Sequence, residues 1–214
     1  MKMAEFGPLT QAVIDGNGKK VIELVNKALA EKASPQSILT NYLIPGMIEV
    51  GKLMAEGEYF IPEVLKSAKS MNGALEILEP LLASGKRESA GYAIMGTVDG
   101  DIHDIGKNLV TMMMTGAGYE VTDLGVDVSR ERFLDAIFKD RPDLVGLSAL
   151  LTTTMQEMKD VIKTIHQALP NPPKVIVGGA PVTQTFADEI RADGYAEDAV
   201  RAVELANHLL SSGE

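Results

Sequence analysis

Asp101-Ile102-His103-Asp104-Ile105-Gly106 sets one imidazole two residues from a carboxylate, between an apolar strand-like run and a helix-like run, and closes on glycine. A histidine that binds a metal through one ring nitrogen usually donates the other N–H to a carboxylate, which fixes its tautomer and raises its basicity. Two later segments are also unusual: Ser148-Ala149-Leu150, followed by Thr152 and Thr154, and Gly178-Gly179-Ala180. Hydroxyls in such places cap a helix, donate to a ligand, or do both. A glycine pair either forms a tight strand-to-helix turn or removes β-carbons so that a bulky group can approach the backbone. One histidine among oxygen neighbours makes a poor zinc site, since zinc takes three or four protein ligands, mostly nitrogen or sulfur. A single axial ligand suits a metal that arrives already held by a macrocycle. Met112-Met113-Met114 reads as core filler on the following helix, and His166 and His208 as surface residues of amphipathic helices.

The elements that position these residues fall into two halves. Residues 1–84 contain no convincing strand. Pro8 opens a short helix, and Val21, Leu24, Val25, Ala28 and Leu29 repeat at helical spacing. Ser34-Pro35 is an N-cap followed by proline at the first helical position. The helix it starts must absorb Pro45-Gly46 as a kink or loosened turn. Pro62 opens a fourth helix, with Val64, Leu65, Ala68, Met71, Leu75 and Leu78 on one face. This pattern predicts a four-helix bundle. Residues 85–90 are small and polar and read as a linker.

From residue 91 to 214 strands and helices alternate. Strand-like runs are Tyr92–Val98, Tyr119–Leu124, Asp143–Leu150 and Lys174–Val177, with a fifth near Tyr195; helices are expected at 104–117, 130–140, 154–169, 183–192 and 197–211. The fold class is therefore α/β, a helical bundle followed by a flavodoxin-like parallel five-stranded sheet with helices on both faces. With strand order 2-1-3-4-5, the first and third strands flank the topological switch point, and the three unusual segments converge on one crevice.

Composition narrows the function classes. A formal charge of −10 argues against nucleic acid or an anionic membrane as the main partner. The absence of cysteine excludes disulfides, thiolate metal sites and a cysteine nucleophile. No run reaches the roughly 18 apolar residues of a membrane span and no signal peptide is visible, so a cytoplasmic protein is expected.

Together the three segments resemble the cobalamin-binding fingerprint Asp-x-His-x-x-Gly, Ser-x-Leu, Gly-Gly. The 41 residues between Gly106 and Ser148 and the 27 between Leu150 and Gly178 match that family's spacing. The segment Met54-Ala55-Glu56-Gly57-Glu58-Tyr59-Phe60-Ile61-Pro62-Glu63-Val64 resembles the helical cap that precedes this domain in cobalamin-dependent methionine synthase and in small corrinoid proteins of anaerobic methyltransferase systems. The resemblance implies cobalamin, as methylcobalamin or cob(I)alamin, with His103 ligating cobalt in place of the displaced dimethylbenzimidazole. It implies that Asp101 holds the other ring nitrogen and that Thr154, where methionine synthase carries serine, continues the relay. Ile102, Asp104, Ile105 and Gly106 complete the motif, while Ser148, Leu150, Thr152, Gly178, Gly179 and Ala180 line the path of the nucleotide tail. The resemblance further implies that Met54, Ile61 and Val64 shield the upper face of the corrin and that the linker is the hinge on which the cap swings.

The implied function is a methyl carrier between a donor-specific methyltransferase and an acceptor methyltransferase that uses tetrahydrofolate or a thiol, kept active by a reductive activase. The donor is a methyl ether, methylamine, methanol or betaine, with an O-demethylase or methylamine system favoured by analogy. Two other readings use the same modules: a cobalamin-dependent sensor acting through a partner, and an isomerase subunit whose radical-generating barrel is supplied in trans.

Overall fold

The structure is a computed structural model and describes residues 7–82 and 89–211. The chain divides into two compact units at Ser89 and Ala90. Most of the expected linker lies outside the described residues.

The first unit is helical: α1 (Gly7–Ile14), α2 (Gly18–Ala30), α3 (Pro35–Ile38), α4 (Ile44–Ala55) and α5 (Ile61–Leu82). α3 starts as expected, with the Ser34 hydroxyl accepting from the Ser37 N–H and Pro35 in the first turn. It runs into α4 through a π-helical turn, Leu39–Leu43. Pro45 has no N–H to offer the Asn41 carbonyl, so the irregularity is displaced into the preceding turn, where the Ile44 N–H reaches back to Leu39 O. Gly46 answers a different need. A β-carbon there would meet Val13 Cβ at 2.9 Å, so its absence lets α1 lie directly against α4. Along α5, Val64, Ala68, Met71, Leu75 and Leu78 are buried as the periodicity predicts. Leu65, assigned to the same face, is 41% exposed. It follows Val64 by one residue, about 100° around the helix, and so falls off the stripe.

The second unit alternates: β1 (Tyr92–Thr97), α6 (Ile105–Gly116), β2 (Glu120–Asp123), α7 (Arg130–Asp140), β3 (Leu144–Ser148), α8 (Met155–Ala168), β4 (Lys174–Gly178), α9 (Gln184–Ile190), β5 (Gly194–Ala196) and α10 (Ala199–Ser211). All pairings are parallel, in the order β2-β1-β3-β4-β5. The inner strands β1, β3 and β4 are almost wholly buried, which is why they read as continuous apolar runs. The edge strands β2 and β5 are short, which limits the unpaired backbone they present. Ile94, Val145, Leu147, Val175 and Val177 form one core with Phe133 and Ile137 of α7, Met158, Val161, Ile162 and Ile165 of α8, and Ala187 and Ile190 of α9. The right-handed β1–α6–β2 crossover places α6 on the other face, which the C-terminal α10 shares; Leu109, Met113, Met114, Ala199, Ala202 and Ala206 are buried there. No helix of the described residues is long and apolar enough to cross a membrane.

Register determines where the loops emerge. Thr97 pairs with Ser148, and Ser148 with Gly178, so β1, β3 and β4 end level with one another. The three segments singled out above leave the sheet side by side at its carboxyl edge, at the switch point between β1 and β3.

Candidate functional site

The β1–α6 loop is organised around a carboxylate with no exposed surface. Asp101 Oδ1 accepts from the His103 N–H (3.0 Å) and from His103 Nδ1 (2.8 Å). Asp101 Oδ2 accepts from the Leu150 N–H (2.8 Å), the Leu151 N–H (3.3 Å) and the Thr154 hydroxyl (2.8 Å). One side chain therefore ties the loop after β1 to the loop after β3. Burial opposes ionisation here. The bonds from Leu150, His103 and Thr154 outweigh it and hold the Asp101 carboxyl well below the usual carboxylate range. Hydrogen bonds to a charged group are each worth about 1.5–3 kcal/mol, enough in combination to exceed a desolvation cost of several kcal/mol.

An ionised Asp101 only accepts, so His103 Nδ1 must carry the proton, and in the neutral ring Nε2 then keeps the lone pair. The His103 side chain is 46% exposed, against 0% for Asp101. The arrangement presents one oriented imidazole nitrogen outward from a buried anion.

Other groups fix this loop from outside the motif. The Thr97 hydroxyl, fully buried at the end of β1, donates to the His103 carbonyl at 2.9 Å. Asp127, on the loop after β2, accepts the Gly100 N–H on Oδ1 (2.8 Å) and donates its own N–H to the Asp101 carbonyl (2.9 Å). Asp127 holds a left-handed φ of 52° to do so, a conformation in which aspartate is enriched among non-glycine residues. Lys107, with a buried side chain, bonds to Asp123 and to Asn108 Oδ1, and Asn108 Nδ2 continues to Asp104 Oδ2 at 3.0 Å. Sequence reasoning singled out none of Thr97, Lys107 and Asp127. Thr97 was detectable as the one hydroxyl closing an otherwise apolar strand.

Among the described residues no group of three or more His, Cys, Asp or Glu side chains could hold a bare metal ion. Around His103, however, Ile102 (73%), Ile105 (74%), Leu150 (42%) and Leu151 (42%) expose apolar side chains. Covering a side chain of this kind gains about 1.5–3 kcal/mol. A single metal-seeking nitrogen within an apolar rim fits a metal carried in a large, partly apolar macrocycle.

Comparison with known proteins decides the identity of that macrocycle. Residues 91–204 match a B12 binding domain model, and residues 7–79 match a second model of the same description. The chain belongs to the B12-binding domain family, and cobalamin is its cofactor. It is 45% identical over 214 residues to a corrinoid protein of Desulfitobacterium hafniense, covering 98% of this chain and 99% of that one. It is 43% identical over 203 residues to dimethylamine corrinoid protein 3 of Methanosarcina acetivorans, covering 94% and 95%. Among solved structures it is similar to a chain of the methanol:cobalamin methyltransferase complex of Methanosarcina barkeri, with a TM-score of 0.87, 32% identity and coverage of 97% of this chain and 79% of that one. A cobalamin-binding protein of Desulfitobacterium hafniense is similar over 96% and 98%, with a TM-score of 0.78 and 30% identity.

The other residues expected to line the cofactor lie at these places. Ser148 is half-buried at the end of β3, while Thr152 and Ala180 are exposed. Leu150 turns its side chain outward and serves Asp101 through its main-chain N–H. At Gly106 a β-carbon would meet nothing within 4 Å. Gly179 is different. Its φ is +128°, and a β-carbon would collide with the Ala149 carbonyl, so the room freed there is taken by the protein's own β3–α8 loop. In the helical unit Met54 is half-buried, Ile61 is 44% exposed and Val64 is fully buried. Phe60 (66%) and Leu65 (41%) flank Ile61 as further exposed apolar groups.

Proposed function

We propose that this corrinoid protein is a methyl carrier, with His103 Nε2 as the protein atom that would hold cobalt and a methyltransferase of the methylamine class as its donor-side partner. The observation that carries the ligand assignment is the unbroken chain from Thr154 through Asp101 to His103 Nδ1. Bound cobalamin supplies a cobalt centre able to take up a methyl group and to release it. Asp101 keeps a proton on Nδ1 and so directs the Nε2 lone pair outward. Thr154, Leu150 and Leu151 keep Asp101 charged, so the imidazole faces a permanent anion whether or not it is ligated. Ile102, Ile105, Leu150 and Leu151 supply apolar contact and exclude water around the ligating nitrogen.

The donor class rests on similarity to dimethylamine corrinoid proteins and, at 38% identity, to a trimethylamine corrinoid protein of Methanosarcina barkeri. The methanol-system structure supports a partner methyltransferase of the same general kind. An acceptor methyltransferase, a reductive activase and a cytoplasmic location complete the reading. Residues 1–84 take the cap role that the sequence resemblance implies.

The test is the visible spectrum of purified protein reconstituted with methylcobalamin or hydroxocobalamin, beside His103→Ala treated identically. Stoichiometric binding with a base-on spectrum in the wild type and a base-off spectrum in the variant is expected. Identical spectra would remove His103 from the metal. Transfer of a methyl group from dimethylamine by an added dimethylamine methyltransferase would then test the donor.

A further inference from the structure

We infer that Thr97 is a positioning residue for cobalt ligation, setting how far the His103 imidazole stands out from the sheet. This rests on the assignment of His103 as the metal ligand.

Thr97 is the last residue of β1, and its side chain has no exposed surface. Its main chain is held by the loop after β2: its N–H donates to Gly125 O at 3.0 Å, and its carbonyl accepts from the Val128 N–H at 3.0 Å. It also sits in register with Ser148 of β3. Thr97 is thus a buried peg held in the sheet by its own main-chain bonds. Its one free donor, the hydroxyl, goes six residues along the chain to the His103 carbonyl, at 2.9 Å.

That bond does something the fingerprint carboxylate cannot. Asp101 grips His103 by its N–H and by Nδ1, both through Oδ1. Two bonds to a single oxygen leave the residue free to pivot about that point, with the ring and backbone turning together. Thr97 holds the carbonyl on the other side of the Cα and removes the pivot. Asp101 therefore determines which nitrogen faces the metal, and Thr97 determines where that nitrogen is. Ligation is sensitive to position because coordinate bonds to nitrogen are short, about 2.0–2.1 Å for zinc, for example, and a functional group held 1 Å too loosely loses much of its effect.

The experiment compares wild type, His103→Ala, Thr97→Ser and Thr97→Val after reconstitution with methylcobalamin, reading the base-on fraction from the visible spectrum. Amide hydrogen exchange at His103 and Asp104 is measured in parallel on the cofactor-free proteins. Thr97→Ser keeps the donor and should match wild type in both readouts. Thr97→Val should still bind stoichiometric corrinoid, but with a base-on fraction reduced several-fold. Its cofactor-free exchange at His103 should be faster by about two- to tenfold, the factor expected for one lost neutral hydrogen bond. Thr97→Ala gives the same comparison should valine not fold. A valine or alanine variant as fully base-on as wild type would overturn the inference while leaving His103 as ligand. A wild type that matches His103→Ala would overturn the ligand assignment, and this inference with it.

Discussion

Thr154 stands at the N-cap position of α8, yet its hydroxyl makes no cap bond and instead lies 2.8 Å from Asp101 Oδ2. The same hydroxyl is 2.9 Å from the Leu151 carbonyl. Its single proton has a neutral and an anionic acceptor in reach, and the anionic one makes the stronger bond. The helix thus forgoes a cap bond worth about 1 kcal/mol in favour of the buried carboxylate.

Replacing Thr154 with valine keeps the shape and removes this donor. The cofactor-free protein should lose about 1–2 kcal/mol of stability in urea unfolding, and Thr154→Ser should restore most of it. Equal stability of the valine and serine variants would show that the hydroxyl contributes nothing through Asp101.

Asp101→Asn should be more damaging, by about 3 kcal/mol, because an amide cannot accept at both ends of a site built from donors. The pH dependence has a definite sign. The folded-state pKa of Asp101 is depressed, so its contribution is complete above the unfolded value of about 4 and is lost as pH falls below it. The stability gap between wild type and Asp101→Asn should therefore narrow as pH falls below about 4. Unfolding curves at several pH values below about 4 provide the check; a gap that stays constant or widens there would contradict the depressed pKa.

Legibility followed physical range. Periodicity along the chain revealed the helices because burial repeats locally: Val21, Val25 and Ala28 all have no exposed surface. Alternation revealed a parallel sheet but not its strand order; the order 2-1-3-4-5 came from the flavodoxin-like arrangement, and the sheet has it. Asp101, His103 and Thr154 were readable because their types and spacing resemble a known fingerprint. Thr97 and Asp127 were not, since they act through bonds to main-chain atoms, and any sequence can offer a main-chain atom. The steric role of Gly179 was also hidden, because it depends on a carbonyl thirty residues earlier in the chain. The π turn at Leu39–Leu43 was anticipated as a disturbance, but its place was not.

Tyr119 supplies a prediction at the alkaline end. Its hydroxyl donates to Asn207 Oδ1 at 2.7 Å, and burial, then the charge of Asp143, pushes the phenol up to about 12. A raised folded-state pKa means that the neutral form is the stabilised one. The contribution is therefore complete below the unfolded value of about 10 and is lost as pH rises through about 12. Wild type should lose on the order of 2 kcal/mol more than Tyr119→Phe across that window. Thermal melts of both proteins between pH 9 and 12 would measure the difference; parallel curves would mean that the phenol titrates normally.

Two glycines of the fingerprint should separate folding from cofactor binding. Gly179→Ala forces a side chain into φ +128° and against the Ala149 carbonyl, so it should destabilise the cofactor-free protein by about 3 kcal/mol or more. Gly106 lies in the first turn of α6, exposed, with open space where a β-carbon would stand. Alanine is the better helix former there, so Gly106→Ala should leave the cofactor-free protein unchanged or more stable by up to about 1 kcal/mol. If the nucleotide tail of cobalamin passes along this turn, the added methyl group occupies its path, and binding should weaken about tenfold or more, the effect of roughly 1.4 kcal/mol of lost contact. Equilibrium titration with hydroxocobalamin, beside urea unfolding of the cofactor-free variants, reads both quantities. Undiminished binding by Gly106→Ala would mean that the tail takes another route, and the glycine would then serve only the entry to α6.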